Sequence, residues 1–120
     1  MSPSPARIRS TIASVVEVPD DLRELRKFHK VLADANRLRI LRRLADGPAT
    51  VTELVDAVGL SQPLVSWHVA RLREVGLVSA RRMGRGTVHT IVPEAFDAFG
   101  ARQSRALGLD TPQSQGKQGQ

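Results

Sequence analysis

Two short segments that meet at a tight turn constrain the fold of this chain more than any other feature. The first begins at Thr50, and Thr50 and Glu53 have the spacing of a capping box, in which each side chain bonds to the other residue's backbone N–H. It ends at Gly59, which suits a left-handed helix end. Ser61 then caps the second segment, and Pro63 lies in its first turn. The pattern predicts two helices joined by a turn of about three residues, the helix-turn-helix arrangement.

The second of these helices carries the only tryptophan of the chain on its outward side. Val65, Val69 and Leu72 have the spacing of one apolar stripe. At about 100° per residue, Trp67 lies almost opposite that stripe. Burial of an indole removes roughly 200 Å² from water, so an outward tryptophan indicates a partner that covers it. The alternative is that Trp67 folds back over Pro63 or packs against the neighbouring hairpin or another subunit.

Two further helices are predicted before this unit. The first opens at Pro19 with acidic residues in its first turn, and the second begins at Asp34 and is closed by Gly47 and Pro48. The apolar side of the first carries Leu22, Leu25, Phe28, His29 and Leu32. In the second, the side chains expected to face inward are Leu38, Leu41 and Leu44, and those expected to face solvent or the rim are Arg37, Arg39, Arg42 and Arg43.

The pattern changes after Gly76, where two runs rich in Val, Ile and Thr, LVSARR and TVHTIV, flank the glycine-containing stretch MGRG. These runs predict a β-hairpin with a basic tip. A last helix begins at Pro93, with Phe96, Phe99, Gln103 and Leu107 near one face. The predicted fold is mainly α with a small β-hairpin, in the order α-α-α-α-β-β-α, which is that of a winged helix-turn-helix.

Length and composition predict one small domain with tails. Of the 120 residues, we expect 19–107 to fold, 1–18 to form a disordered basic arm and 108–120 to form a disordered tail. Aromatic residues make up only 3% of the chain, so the core must be small and aliphatic. A core of this kind is often completed by a second copy, which predicts a homodimer.

The cationic residues are mostly arginine, and many of them lie in one part of the chain. The formal net charge is +6, with 15 Arg against 3 Lys. Residues 61–92 contain five arginines and a single acidic residue, Glu74. A guanidinium group fits phosphates and guanine edges, so this distribution favours nucleic acid as a partner.

The chain has no cysteine, which excludes disulfides, thiolate metal sites and cysteine nucleophiles. With no covalent crosslinks, we expect a cytoplasmic protein. No apolar run approaches the roughly 20 residues needed to span a bilayer, and the N-terminal stretch does not have the pattern of a secretory signal. No membrane partner is therefore expected.

Four motifs carry a resemblance to a known family: LAD-x-x-R-LRIL in the second helix, SQP-x-VS-x-HV-x-x-L, LRE-x-GLV and the basic G-R-G turn. Over about residues 32–92, the sequence strongly resembles the DNA-binding core of the ArsR/SmtB (arsenic-repressor) family of bacterial winged helix-turn-helix regulators. The resemblance implies a sequence-specific transcriptional regulator that binds a palindromic operator in double-stranded DNA as a homodimer. Its first and last helices would pair, the helix from Ser61 to about Val75 would enter the major groove, and the hairpin would reach the flanking backbone.

The outward face of that helix and the hairpin supply the candidate DNA-binding residues. Gln62 and Ser66 can donate and accept hydrogen bonds, Arg71 can bind phosphate or guanine, and Trp67 can contact a thymine methyl or a sugar. The arginines of the hairpin are candidates for phosphate contacts, although a solvated basic hairpin is the alternative. The full set is Gln62, Pro63, Ser66, Trp67, Arg71, Arg81, Arg82 and Arg85.

The family is known for sensing metals, and this sequence departs from its sites. Its thiol sites need cysteines near the third helix, and its other common site uses Asp and several His of the last helix, which here offers Glu94 and Asp97 and no histidine. His29 is the remaining candidate, because two copies at a dimer interface would suit nickel, cobalt or zinc. A packed or hydrogen-bonded interface histidine is the favoured alternative. A small organic ligand, a metal, a partner protein or no effector all stay open.

Two other classes of function are alternatives to a DNA-binding regulator. No nucleophile, base and orienting residue have the spacing of a catalytic site, and Ser66 and His68 at i and i+2 do not face each other on a helix, so we expect no enzyme. The second hypothesis is a winged-helix module that acts with a partner protein, with Trp67 as the anchor of a protein interface.

Overall fold

The computed structural model of the protein describes residues 17–109. These residues form α1 (Asp20–Leu32), α2 (Ala35–Leu44), α3 (Val51–Val58), α4 (Gln62–Glu74), β1 (Val78–Met83), β2 (Gly86–Ile91) and α5 (Pro93–Ala106). The order confirms the predicted mainly α winged helix-turn-helix. Of the predicted arm and tail, residues 1–16 and 110–120 lie outside the described residues. Within 17–109, every helix is too short or too polar to cross a membrane.

The helix-turn-helix forms through the caps that the sequence predicts. The Glu53 N–H donates to Thr50 Oγ1 at 3.2 Å, and the Thr50 N–H donates to Glu53 Oε1 at 2.8 Å, so the capping box is complete. Gly59 ends α3 with φ of 73°. Glycine adopts this left-handed conformation without steric cost because it has no Cβ. Ser61 Oγ then accepts from the Leu64 N–H at 3.4 Å. These local bonds fix the angle at which α4 leaves the turn.

The core lies between α2, α3, α4 and the base of the hairpin. On α4, Val65, Val69 and Leu72 are buried as the apolar stripe predicts. They pack in one cluster with aliphatic residues of the neighbouring elements, among them Ile40, Leu44, Leu54 and Leu77. Phe28 of α1 stacks on Phe99 of α5, which closes the core on the side of the first and last helices. The buried stripe turns the opposite side of α4 outward.

The hairpin is antiparallel, and its register places Met83 opposite Gly86 across a two-residue loop. Gly84, the first residue of that loop, has φ of 60°, which the mirror-image turns of tight hairpins require. At the base, the Ala49 and His89 backbones exchange hydrogen bonds of 3.0 and 2.7 Å. The hairpin is therefore tied to the loop that precedes α3 and has a fixed position relative to α4.

The prediction for α2 was wrong at two positions. Leu38 is 49% exposed, whereas Arg37 is buried at 8% exposure. Asp34 caps α2 by accepting from the N–H groups of Asn36 and Arg37, and this start places Arg37 and Ile40 on the inward side. Arg37 is tolerated there because its guanidinium group is hydrogen bonded, as described below. The inward residues of α2 are Arg37, Ile40, Leu41 and Leu44.

Candidate nucleic-acid interface

The outward side of α4 presents a mixed polar and apolar surface. Gln62, Pro63, Ser66 and Trp67 are all exposed, as the sequence predicts. Sequence reasoning missed Leu64, which is 40% exposed. Its position one turn before Trp67 was the available signal, since residues three apart are neighbours on a helix surface. The first two turns of α4 thus offer an amide, a hydroxyl and an apolar patch to a partner.

Trp67 lies half in solvent, at 48% exposure, and half against its own subunit. Its ring centroid is 5.0 Å from that of His68, with the two planes at 58°. The guanidinium carbon of Arg37 lies 4.9 Å from the indole centroid, and that of Arg71 lies 5.8 Å from it. Guanidinium groups at these distances are attracted to the face of the ring and hold its orientation. The exposed part of the indole is therefore a fixed apolar surface beside two cations.

Arg37 is held by three elements at once, and sequence reasoning assigned it no such role. Its Nε donates to His68 Nδ1 at 3.0 Å, and its Nη1 donates to the Val31 carbonyl at 3.2 Å, at the end of α1. Because its guanidinium group also lies against Trp67, one side chain joins α1 and α2 to the outward face of α4. The LAD-x-x-R motif contains the residue, but spacing alone gave no sign of these contacts.

His68 is buried on the same helix, at 3% exposure. Because Nδ1 accepts from Arg37, the ring carries its proton on Nε2 and is neutral. Burial lowers the pKa of His68 below its ordinary value, while Asp34 opposes the shift and the Arg37 cation adds to it. His68 is therefore part of the buried structure that supports the outward face of α4.

Arg71 is less free than the sequence suggests. Its guanidinium group forms an ion pair with Glu74 on the next turn of α4, and its side chain is 36% exposed. Its Nε is buried and has no hydrogen-bond acceptor among residues 17–109. A phosphate or a guanine edge that binds Arg71 must therefore share it with Glu74 or displace Glu74. The surface charge of this part of α4 is correspondingly smaller than the arginine count implies.

The three hairpin arginines are exposed but do not form one surface. Arg81 and Arg82 are consecutive in β1, so their side chains leave the ribbon on opposite faces. Arg85 lies in the two-residue loop at the tip. A backbone strand that passes one face of the hairpin can meet Arg85 and one of the other two. The expectation that all three are equivalent phosphate contacts is therefore too simple.

His89 faces the interior and not a phosphate. It is 5% exposed, beneath the bridge between β2 and the loop that precedes α3. Burial lowers the pKa of His89, and the Arg73 cation lowers it further. Its Nδ1 is buried with no partner in the described part of the chain. His89 therefore belongs to the junction of the hairpin and the core.

Comparison with known proteins identifies the family. The family model described as bacterial regulatory protein, arsR family, matches residues 34–80. A crystal structure of an ArsR family transcriptional regulator is 31% identical to this chain, with a TM-score of 0.61, and the match covers 72% of this chain and 94% of that one. The chain belongs to the ArsR family. The matched residues include the whole helix-turn-helix and Arg37, so the resemblance drawn from the four sequence motifs is confirmed.

Two further relatives extend the comparison. The probable mercury resistance operon repressor of Streptomyces lividans is 44% identical over 59 residues, which are 49% of this chain and 47% of that protein. The homodimeric winged helix-turn-helix DNA-binding domain of a possible ArsR-family regulator from Mycobacterium bovis is 29% identical, with a TM-score of 0.60, and the match covers 76% of this chain and 89% of that chain. The chain spans about half the length of the curated relatives it matches. Family members are regulators and not enzymes, as we expected of this chain.

The described residues of this ArsR-family chain do not fit a metal site. Among residues 17–109, no three His, Cys, Asp or Glu side chains come together as ligands. The candidate His29 is exposed on α1, and its Nε2 donates to Gln103 Oε1 of α5 at 2.5 Å. Its ring packs edge-on against Phe28 and Phe99. Within the subunit, His29 is therefore a packed and hydrogen-bonded histidine between the first and last helices.

Proposed function

We propose that this ArsR-family protein is a sequence-specific DNA-binding transcriptional regulator that binds a palindromic operator as a homodimer. The observation that carries the proposal is the outward side of α4, where the half-exposed Trp67 lies beside two guanidinium groups. The buried stripe and the caps fix this side outward, so the surface is built before any partner binds. A major-groove helix requires such a surface, in which polar and apolar groups alternate over a few turns.

Each exposed group on α4 has a counterpart on duplex DNA. Gln62 and Ser66 can donate to or accept from base edges, and Trp67 and Leu64 can contact thymine methyl groups. Arg85 at the hairpin tip and either Arg81 or Arg82 can contact phosphates, which position the protein without reading sequence. The proposal therefore assigns specificity to α4 and general affinity to the hairpin.

Support for the homodimer comes from α1 and α5. Leu107 and Leu109 follow α5 and are 52% and 63% exposed, and Leu22 and Leu25 on α1 are only partly buried. A second copy that covers this side would bury apolar surface that water now contacts. A twofold dimer would also present two α4 helices to inverted half-sites, about one helical turn of DNA apart.

Selection of bound fragments from random duplex DNA tests the function. The account expects enrichment of an inverted repeat with half-sites about 10 base pairs apart, or a multiple of that spacing. Trp67→Ala should weaken binding to the selected sequence about 10-fold or more, since a good base contact contributes roughly 1–3 kcal/mol. Arg39→Gln, a substitution on the solvent side of α2, is the control and should leave the preference unchanged. Failure to enrich any sequence would reject the proposal.

The metal hypothesis rests on His29 alone. A homodimer that pairs α1 with α5 could bring two copies of His29 together, and imidazole accepts nickel, cobalt and zinc. The Gln103 bond would have to break, or the ion would have to use Nδ1. Titration of the DNA-bound protein with each of the three ions and then a chelator tests this. A change in DNA affinity that His29→Gln abolishes would support the hypothesis, and no change in the unsubstituted protein would reject it.

A further inference from the structure

The solvent side of α1 is a cationic stripe that the sequence motifs do not include. Arg23, Arg26, Lys27 and Lys30 are spaced at i, i+3, i+4 and i+7, which places them on one side of the helix. All four are exposed. This side is turned away from Phe28, which packs against α5, so a homodimer formed through the apolar side of α1 leaves the stripe uncovered.

The stripe forms one wall of a groove of about 610 Å³ between α1, the start of α2 and the end of α4. Its charged lining consists of Arg23, Arg26, Lys27, Lys30, Arg37 and Arg71 against Asp34 and Glu74, a net of +4. Both carboxylates are already engaged, because Asp34 caps α2 and Glu74 pairs with Arg71. The side chains of Arg26, Lys27 and Lys30 make no hydrogen bond or ion pair within residues 17–109, and only backbone bonds involve these residues. The groove therefore has cationic groups available for an anion.

The groove is continuous with the outward side of α4. Arg37 and Arg71 line the groove and also lie against Trp67, so the two surfaces share these residues. Arg71 also has a buried Nε without an acceptor among residues 17–109, so its guanidinium group is not fully satisfied by Glu74. If one part of a polyanion contacts Trp67, the adjacent part of the polyanion would thus reach the cationic groove.

We propose that this groove binds a phosphate of the DNA backbone beside the bases contacted by α4. This rests on the proposed function, and it adds a phosphate site on α1 to the contacts of the helix-turn-helix and the hairpin. Phosphate is the anion that best suits a groove lined by both arginines and lysines, in which the two carboxylates already have partners. DNA is the favoured source over a free phosphate because the groove continues the surface around Trp67.

The test compares the salt dependence of DNA binding in two double variants that lose the same charge. Arg26→Gln with Lys30→Gln removes two cations of the groove, and Arg39→Gln with Arg42→Gln removes two from the solvent side of α2. Affinity for the selected duplex is measured between 50 and 200 mM salt, and circular dichroism checks folding. If each subunit's groove binds one phosphate, the slope of log K against log salt should decrease by about 2 in the groove variant. It should stay close to that of the unsubstituted protein in the control.

The outcomes separate this inference from the proposed function. Equal slopes in the groove variant and the control would overturn the groove assignment and leave DNA recognition by α4 intact. An unsubstituted protein without salt-dependent DNA binding would reject both. A second arm titrates inorganic phosphate without DNA and follows Trp67 fluorescence. Saturation that is lost in the groove variant, together with an unchanged DNA slope, would assign the groove to a free anion and overturn the assignment to DNA.

Discussion

At the scale of single residues, Arg37 connects α1 and α2 to the outward face of α4 through one guanidinium group. It donates to the Val31 carbonyl and to His68, and it lies against Trp67. A buried guanidinium group is stabilising only when its donors are satisfied, and here two of its nitrogens bond to buried acceptors. Its loss would leave the ring nitrogen of His68 and a helix-end carbonyl without donors.

Arg37→Met should therefore destabilise the fold by about 1–3 kcal/mol, the usual cost of a buried polar group left unpaired. It should also shift the fluorescence of Trp67, which is the only tryptophan in a chain without tyrosine. Urea unfolding followed by that fluorescence measures both effects in one titration. Arg39→Met removes an exposed arginine from the same helix and should change neither. Equal unfolding midpoints in the two variants would contradict the role given to Arg37.

The two buried histidines predict a pH dependence of stability. Burial lowers the pKa of His68 and of His89 in the folded protein, so the unfolded chain binds more protons as the pH falls below about 6.5. Stability should be full above that pH and should decrease as the pH falls toward the lowered folded pKa values. Urea midpoints between pH 7.5 and 5 measure this. The double variant His68→Gln with His89→Gln should have a flatter profile, and an unchanged profile would show that other groups are responsible.

At the scale of elements, the N-terminal cap of α3 determines where the helix-turn-helix begins. The Thr50 side chain accepts from the Glu53 N–H, and the Glu53 side chain accepts from the Thr50 N–H. Thr50→Ala should cost about 1 kcal/mol of stability through the loss of the cap. Thr52→Ala, two residues later on the exposed side of α3, should be neutral or slightly stabilising, because alanine is the better helix former. Thermal unfolding compares the two, and equal losses would contradict the capping role.

Elements with strong local signals were predictable from the sequence. The caps at Thr50, Gly59 and Ser61 and the stripe of α4 each use bonds or contacts within a few residues, so the sequence around them is sufficient. The inward side of α2 was harder to predict. Hydrophobicity suggests that Leu38 is buried and Arg37 exposed, and the structure has the reverse. The burial of Arg37 depends on its contacts with Val31, His68 and Trp67, which lie on other helices. Hydrophobic periodicity carries no information about such contacts.

The same limit applies to the candidate interface. The exposure of Trp67 could be predicted because it follows from helix geometry alone. The pairing of Arg71 with Glu74 and the burial of His89 depend on how α4 and the hairpin are placed in three dimensions. The opposite faces of Arg81 and Arg82 could have been read from strand alternation once the hairpin was predicted. The outward side of α4 could thus be predicted from the sequence, whereas the distribution of charge over it could be known only from the structure.

At the scale of the whole molecule, charge is distributed unevenly over the described residues. Cationic groups occur at the hairpin tip, beside Trp67 and along the solvent side of α1, whereas the core is built mainly from aliphatic residues. A duplex places regularly spaced phosphates along its surface, and binding releases counterions in proportion to the phosphates neutralised. On the proposed function, base reading by α4 and backbone contacts on either side of it would belong to one binding event.

The most direct test is the accessibility of Trp67 in the protein–DNA complex. Acrylamide quenching of its fluorescence is measured for the free protein and for the protein saturated with the selected duplex at low salt. Because the indole is 48% exposed in the free chain, quenching should be efficient there and should fall several-fold when DNA covers α4. Equal quenching of free and fully bound protein would mean that DNA leaves this face uncovered, and would contradict the account.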